Sequence, residues 1–233
     1  MDAPVDAPDK WLSFALAFVG GWGDALGFLI AKTFTGHVTG NLVLASIAVA
    51  SGGWRSFVAH SSAVLCFLLG MPLNALITRL TVRWTTFPTL VVSVSLELVL
   101  VLAADLALAI HDAGTVPLLV ACLALALGLQ NAAFRRAGAI SLHTTYLTGT
   151  ITSLLAPKIE RKTLPLIDPT PQESDLKSRL LFGICGAFVL GAIMGAGVVL
   201  RSQQLGLLML GFSLLIILVF CCLQKQPAAN SAP

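Results

Sequence analysis

The sequence predicts an all-α integral membrane protein. Six transmembrane helices are expected, with two short apolar segments that enter the bilayer and return, and a two-fold internal repeat. Three observations carry this. First, 57% of the 233 residues are hydrophobic and only 11% are charged, with a mean hydropathy of +0.91. A soluble domain carries about 25% charged residues, so this chain is solvated by lipid. Second, six apolar runs reach the roughly 20 residues a helix needs to cross about 30 Å of hydrocarbon, and two others do not. Third, a Thr-Gly motif recurs at identical spacing in the two halves.

The opening MDAPVDAPDK is acidic and proline-containing, unlike the basic start of a signal peptide. Residues 1–10 are therefore expected to form a disordered cytoplasmic tail. The first repeat, residues 11–110, contains the spans Trp11–Ala31, Phe57–Leu80 and Pro88–Ile110 and the short run Val38–Ser51. That run would reach only about 21 Å as a helix at 1.5 Å per residue. The second repeat, residues 116–223, contains Val116–Phe134, Leu180–Leu200 and Leu205–Leu223, with Leu147–Ala156 as its short run. Lys158–Lys177 is polar and holds Pro165, Pro169 and Pro171, which predicts an extended cytoplasmic loop. Residues 224–233 form a C-terminal tail.

Charge bias arbitrates between topologies, because cytoplasmic loops are enriched in Lys and Arg. If both short runs return to the side they left, Lys32, Arg55 and Arg201 share one face and the other eleven of the 14 basic residues share the opposite one. If both cross, the split is eight against six. The first arrangement predicts six spans with both termini cytoplasmic; eight spans is the alternative.

The repeat rests on four landmarks in one order. Thr35-x-x-x-Thr39-Gly40-Asn41 returns as Thr144-x-x-x-Thr148-Gly149-Thr150, and Gly23-Asp24-Ala25 is loosely matched by Gln130-Asn131-Ala132. Downstream, Gly70 falls against Gly191 and Arg79 against Arg201. With re-entrant short segments each half has three crossings, and the halves lie antiparallel. Inverted repeats with broken helices meeting near the midplane are a common plan of transporters and channels. The physical reason is that broken backbone survives in a bilayer only inside protein or beside a wet cavity. Thr39 and Thr148 are placed to cap the short helices or to face a solute; close helix packing through Thr and Gly is the competing reading.

Candidate chemistry is confined to few residues. Asp24 lies fourteen residues into the first span and Glu97 ten into the third. Intramembrane acids cost about 2.5–3.5 kcal/mol on insertion scales and are functional candidates by default. A carboxyl group in apolar surroundings titrates higher than in water, which suits proton coupling. No basic residue lies deep in a span to pair them, so each is either neutral or bonded to Ser, Thr or backbone. His37 could relay protons. The candidate solute- or ion-binding set is Asp24, Thr35, His37, Thr39, Gly40, Asn41, Glu97, Asn131, Thr148 and Gly149. Asn74, Gln130 and Asn131 read first as interhelical hydrogen-bonding residues.

Other classes are disfavoured. Nucleic acid is not an expected partner, because no basic block interleaved with aromatics exists. The five cysteines fall in apolar runs without metal spacing, so neither a disulfide framework nor a metal or other cofactor is expected. No G-x-S-x-G, H-E-x-x-H or Walker loop is present, which argues against an enzyme. The expected partners are the bilayer and an unidentified small solute, with a homo-oligomer as an option.

Gly23-Asp24-Ala25-x-Gly27-Phe28, followed by Val38-Thr39-Gly40-Asn41, resembles the YoaK family of bacterial membrane proteins over nearly the whole chain. That resemblance implies a polytopic inner-membrane protein and no established substrate or reaction. The residues themselves support a small-solute transporter or channel, with proton coupling as its finer form. A non-transporting membrane scaffold is the alternative.

Overall fold

The computed structural model describes residues 7–84, 88–110, 115–134, 136–137, 140–141 and 171–224. In chain order these form α1 (Ala7–Ala31), α2 (Val38–Ala50), α3 (Trp54–Trp84), α4 (Thr89–Ala109) and α5 (Val116–Ala133), then the two-residue strands β1 (Arg136–Ala137) and β2 (Ile140–Ser141), and α6 (Pro171–Val199) and α7 (Gln203–Leu223). Six of the helices are long and apolar enough to span a bilayer, and α2 is the shorter apolar one. The β1–β2 pair is antiparallel, with Arg136 opposite Ser141 and Ala137 opposite Ile140, and is too short to alter the all-α class.

Two boundaries differ from the sequence expectation. Helix α1 starts at Ala7, so residues 7–10 are helical and not part of a disordered tail. Pro8 falls in the first turn, where a missing N–H costs nothing, and Asp9 there faces the positive helix end. Helix α6 starts at Pro171, so residues 171–177 are helical and the expected loop is that much shorter. Proline at a first helical position again explains the start. The remainder of that loop and the whole second short segment, including Thr148 and Gly149, lie outside the described residues.

The helices cross where glycine removes the obstacle of a Cβ. A Cβ on Gly21 of α1 would land on the Phe188 carbonyl of α6, and one on Gly191 of α6 on the Phe18 carbonyl of α1. On the other side of the bundle, a Cβ on Gly128 of α5 would land on the Phe67 carbonyl of α3, and one on Gly70 of α3 on the Gly128–Leu129 peptide. Backbones touch at both crossings, as small residues permit in membrane bundles. Large apolar side chains are exposed on the spanning helices, including Leu69, Leu106, Phe182 and Phe212, as a lipid surround requires.

Contacts along these crossings fix the sense of each helix. Phe14, Phe18 and Trp22 of α1 meet Gly183, Gly191 and Gly195 of α6 in rising order, so α1 and α6 run the same way. Along α1 and α5 the order reverses: Gln130 Nε2 donates to the Leu16 carbonyl at 2.9 Å, while Gly23 lies against Leu127. Helix α7 also runs counter to α1, for Trp22 Nε1 donates to the Gly206 carbonyl at 3.0 Å while Trp11 stacks near Phe220. Cys66, Phe67 and Gly70 of α3 pass Cys122, Gly128 and Leu129 of α5 in the same order, making those two parallel. Hence α1 and α3 run in opposite senses although α2 lies between them.

Helix α2 turns tightly into α3 at residues 51–53, where Gly52 takes φ +71° and Gly53 N–H donates to the Ala48 carbonyl at 2.7 Å. The connection 32–37 and α2 therefore enter and leave on one side and add no net crossing. At 13 residues α2 is about 20 Å long.

Candidate functional site

The break between α1 and α2 is held by side chains that replace the lost helical hydrogen bonds. Asp24, on α1, is turned towards the chain eleven to thirteen residues ahead of it. Its Oδ1 accepts from Thr35 N–H at 2.9 Å and from Gly36 N–H at 2.6 Å, with the Thr35 hydroxyl at 3.4 Å. Its Oδ2 takes a short hydrogen bond from His37 Nδ1, which is also an ion pair when the ring is protonated. Asn41, one turn into α2, reaches back with both ends of its amide. Oδ1 accepts from Phe34 N–H at 3.0 Å and Nδ2 donates to the Phe34 carbonyl at 2.6 Å. An unsatisfied backbone group costs several kcal/mol in hydrocarbon, so one acid and one amide make this excursion affordable.

Glycine lets the loop lie flat. A Cβ on Gly27, one turn after Asp24, would strike Thr35 and the Thr33 carbonyl. Lys32 ends α1 in the left-handed region at φ +56°, a conformation that L side chains seldom adopt. The chain then returns to the level of Asp24, seven residues or about 10 Å before the end of α1. Helix α2 thus begins beside Asp24, with His37 as its N-cap residue.

Next to this loop, α1 and α6 leave a pocket of about 430 Å³. Phe28, Leu29, Phe34, Phe188 and Ile193 supply its walls, and His37 and Asp24 are its titratable groups among the described lining residues. Phe28 stacks on Phe34 at 4.8 Å between centroids, and the His37 ring meets Phe34 at 5.6 Å and the edge of Phe188 at 5.8 Å. The two polar groups are unequally presented: the His37 side chain is 33% exposed and that of Asp24 6%. Because Asp24 engages Nδ1, the nitrogen left to the pocket is Nε2. His37 lies outside the six spans. The hydrogen bond to Asp24 holds its imidazole above the usual histidine value, against burial, which acts the other way.

The candidates from the sequence divide accordingly. Asp24, Thr35, His37 and Asn41 come together. The loop histidine pairs the acid, a partner that lies outside the spans and so does not show in their composition. Thr39 is exposed in the second position of α2 and caps nothing; the cap position belongs to His37, which makes no side-chain cap bond. Gly40 does not line the pocket, and its Cα faces the Phe34 ring, 3.2 Å from where a Cβ would stand. Glu97 is apart from the pocket, 1% exposed in α4, with neither carboxylate oxygen hydrogen-bonded among the described residues. Asn131 is buried in α5, beside Gln130, which ties α5 to α1. Asn74 likewise ties α3 to α4 by accepting from Ser93 Oγ at 2.9 Å. Among the described residues no group of three or more His, Cys, Asp or Glu could hold a metal ion.

The α6 wall, Phe188 and Ala192, was missed. A signal existed, since Phe188-Val189-x-Gly191 repeats Phe18-Val19-x-Gly21 and these stretches form the crossing.

Comparison with curated proteins and with solved structures found no match. Residues 12–221 match a family described as a protein of unknown function, DUF1275. A chain with this broken, acid-anchored helix pair and six spans thus belongs, over almost its whole length, to the DUF1275 family.

Proposed function

We propose that the protein is a non-enzymatic, proton-coupled transporter or channel for a small solute. It sits in a bacterial inner membrane, as in the YoaK-type proteins, with both termini cytoplasmic. The observation that carries this reading is the His37–Asp24 pair at a helix break, facing an open pocket. Asp24 keeps a proton on Nδ1, so the proton that comes and goes is the one on Nε2, beside the solute. Carboxylate-oriented imidazole is a recurring device for moving protons near neutral pH.

An antiparallel pairing of the two halves would support the same reading. Helices α1, α3 and α4 would correspond to α5, α6 and α7, each set reversed relative to the other. The correspondence of Asp24 with Asn131 sets Gly21 against Gly128, and that of the downstream landmarks sets Gly70 against Gly191. Those four glycines make the two backbone crossings. Inverted halves around a broken helix suit alternating access.

The test is uptake into proteoliposomes across an imposed pH gradient, screening small solutes with wild type, Asp24→Asn and His37→Gln. Wild type should accumulate at least one solute, and Asp24→Asn should insert and fold yet lose accumulation and pH dependence. Asn131→Asp should not rescue it. A second reading has its own observation: both Asp24 oxygens already satisfy the loop and His37. Under that reading the protein is a scaffold, and Asp24→Asn changes stability alone.

A further inference from the structure

Solute chemistry can be read from the groups the pocket offers. Its walls are aromatic and aliphatic, so a sugar or other polyol would lose its hydrogen bonds to water and regain few. The carboxylate that would attract a cation is spent: Asp24 is 5% exposed and accepts from two backbone N–H groups and from His37. What remains towards the cavity is His37 Nε2, for which no hydrogen bond exists among the described residues. Outside the lining, a positive group borders one of its rings. Lys32 Nζ lies 5.7 Å from the centroid of Phe28, a lining ring. From α6 the facing groups are Phe188, Ala192, Ile193 and Ala196, none of them titratable. Among the described residues, the titratable groups at the pocket are therefore His37 and the tied carboxylate of Asp24, with Lys32 bordering it beside Phe28.

We infer that this pocket takes a small organic anion, an apolar body with one negatively charged group, the body among Phe28, Phe34 and Phe188 and the charge at His37 Nε2. Flat bodies suit the three rings, and the volume of about 430 Å³ falls in the usual range for small-molecule sites. The inference rests on the transporter reading only for passage, not for binding. An anion of this kind could arrive from water or, because Ile193 and Phe28 are exposed, sideways from the bilayer. The chemistry is the same in both cases.

The test uses the full chain in nanodiscs and titration calorimetry at pH 6, with benzenesulfonate as probe because it stays ionised. Benzamide and benzyltrimethylammonium are its neutral and cationic counterparts. Benzenesulfonate should bind saturably and at least tenfold more tightly than either. The preference should shrink as pH rises through the titration of His37, since the donor Nε2–H is then lost. His37→Gln should reduce it about tenfold. Ala192→Phe, which fills the pocket from α6 and leaves both members of the pair unsubstituted, should abolish binding. Equal or tighter binding of benzamide or the cation overturns the inference, as does absence of benzenesulfonate binding to wild type. Displacement by hexadecanesulfonate assigns the source to the bilayer, and failure to displace assigns it to water; both keep the anion class. Benzenesulfonate binding without uptake of any solute removes the transporter reading and leaves this inference standing. Uptake of another solute untouched by benzenesulfonate does the reverse.

Discussion

At the scale of single residues, Asp24 and Asn41 do the same work from opposite sides of the break, and their replacements should separate charge from geometry. Asn41 both donates to and accepts from Phe34. Asn41→Asp as a carboxylate cannot donate and leaves a partly buried carbonyl unpaired, at an expected cost of about 1–3 kcal/mol, read as a lower midpoint of thermal unfolding in nanodiscs. Asp24→Asn keeps an acceptor for the loop but removes the carboxylate whose hydrogen bond and, secondarily, charge raise His37. The ring should then titrate lower, towards or below 6.5, which NMR of labelled histidine measures. The sign for stability follows. A histidine raised in the folded state stabilises fully below its unfolded pKa and loses that contribution as pH rises through the folded one. Wild-type stability should therefore fall as pH climbs through the His37 titration, and Asp24→Asn should flatten that slope. Glu97 gives a contrasting case. A buried ionised carboxylate without partners is costly, so Glu97→Gln should be neutral or stabilising, and a large loss of stability would point to an ionic role.

Among the elements, the glycines of α6 provide an internal control. Gly191→Ala drives a methyl into the Phe18 carbonyl, whereas Gly186 and Gly197 on the same helix have nothing within 4 Å of a Cβ. The first should cost about 1–3 kcal/mol. The other two should be neutral or stabilise by up to about 1 kcal/mol, because alanine is the better helix former. Thermal unfolding of the three variants in one lipid decides the matter. The boundaries of the spans were legible because lipid imposes a length and a composition on a helix. What escaped was direction and pairing. Hydropathy marks α2 as too short but is blind to Asp24 reaching forward to Thr35 and Gly36, since those bonds go to backbone and backbone has no letter. The starts of α1 and α6 were missed for a related reason: proline reads as a breaker along the chain, yet it opens a helix when it falls in the first turn. Phe188 carried no polar signal at all, and only its place against His37 gives it a role.

For the molecule as a whole, the alternation of helix senses places Lys32, Arg55 and Arg201 at one end of the bundle. Single cysteines at 32, 55 and 201 should therefore label together from one side of intact cells. Lys10→Cys should label only after permeabilisation, if the basic-rich end is cytoplasmic. Labelling of position 55 together with position 10 would mean that α2 crosses, and would overturn the proposed antiparallel relation of the halves.

The anchors of the helix break all lie between residues 24 and 41, whereas the opposite wall of the pocket, Phe188 and Ala192, is synthesised some 150 residues later. During biosynthesis the two events must separate in time. A nascent chain released from the ribosome only as far as α3 already contains every residue of these hydrogen bonds across the break. Until α6 emerges, His37 has Phe34 beside it but not yet Phe188. The break is an early, local product of translation, and the cavity is a late one, finished only when the second half of the chain arrives to cover it.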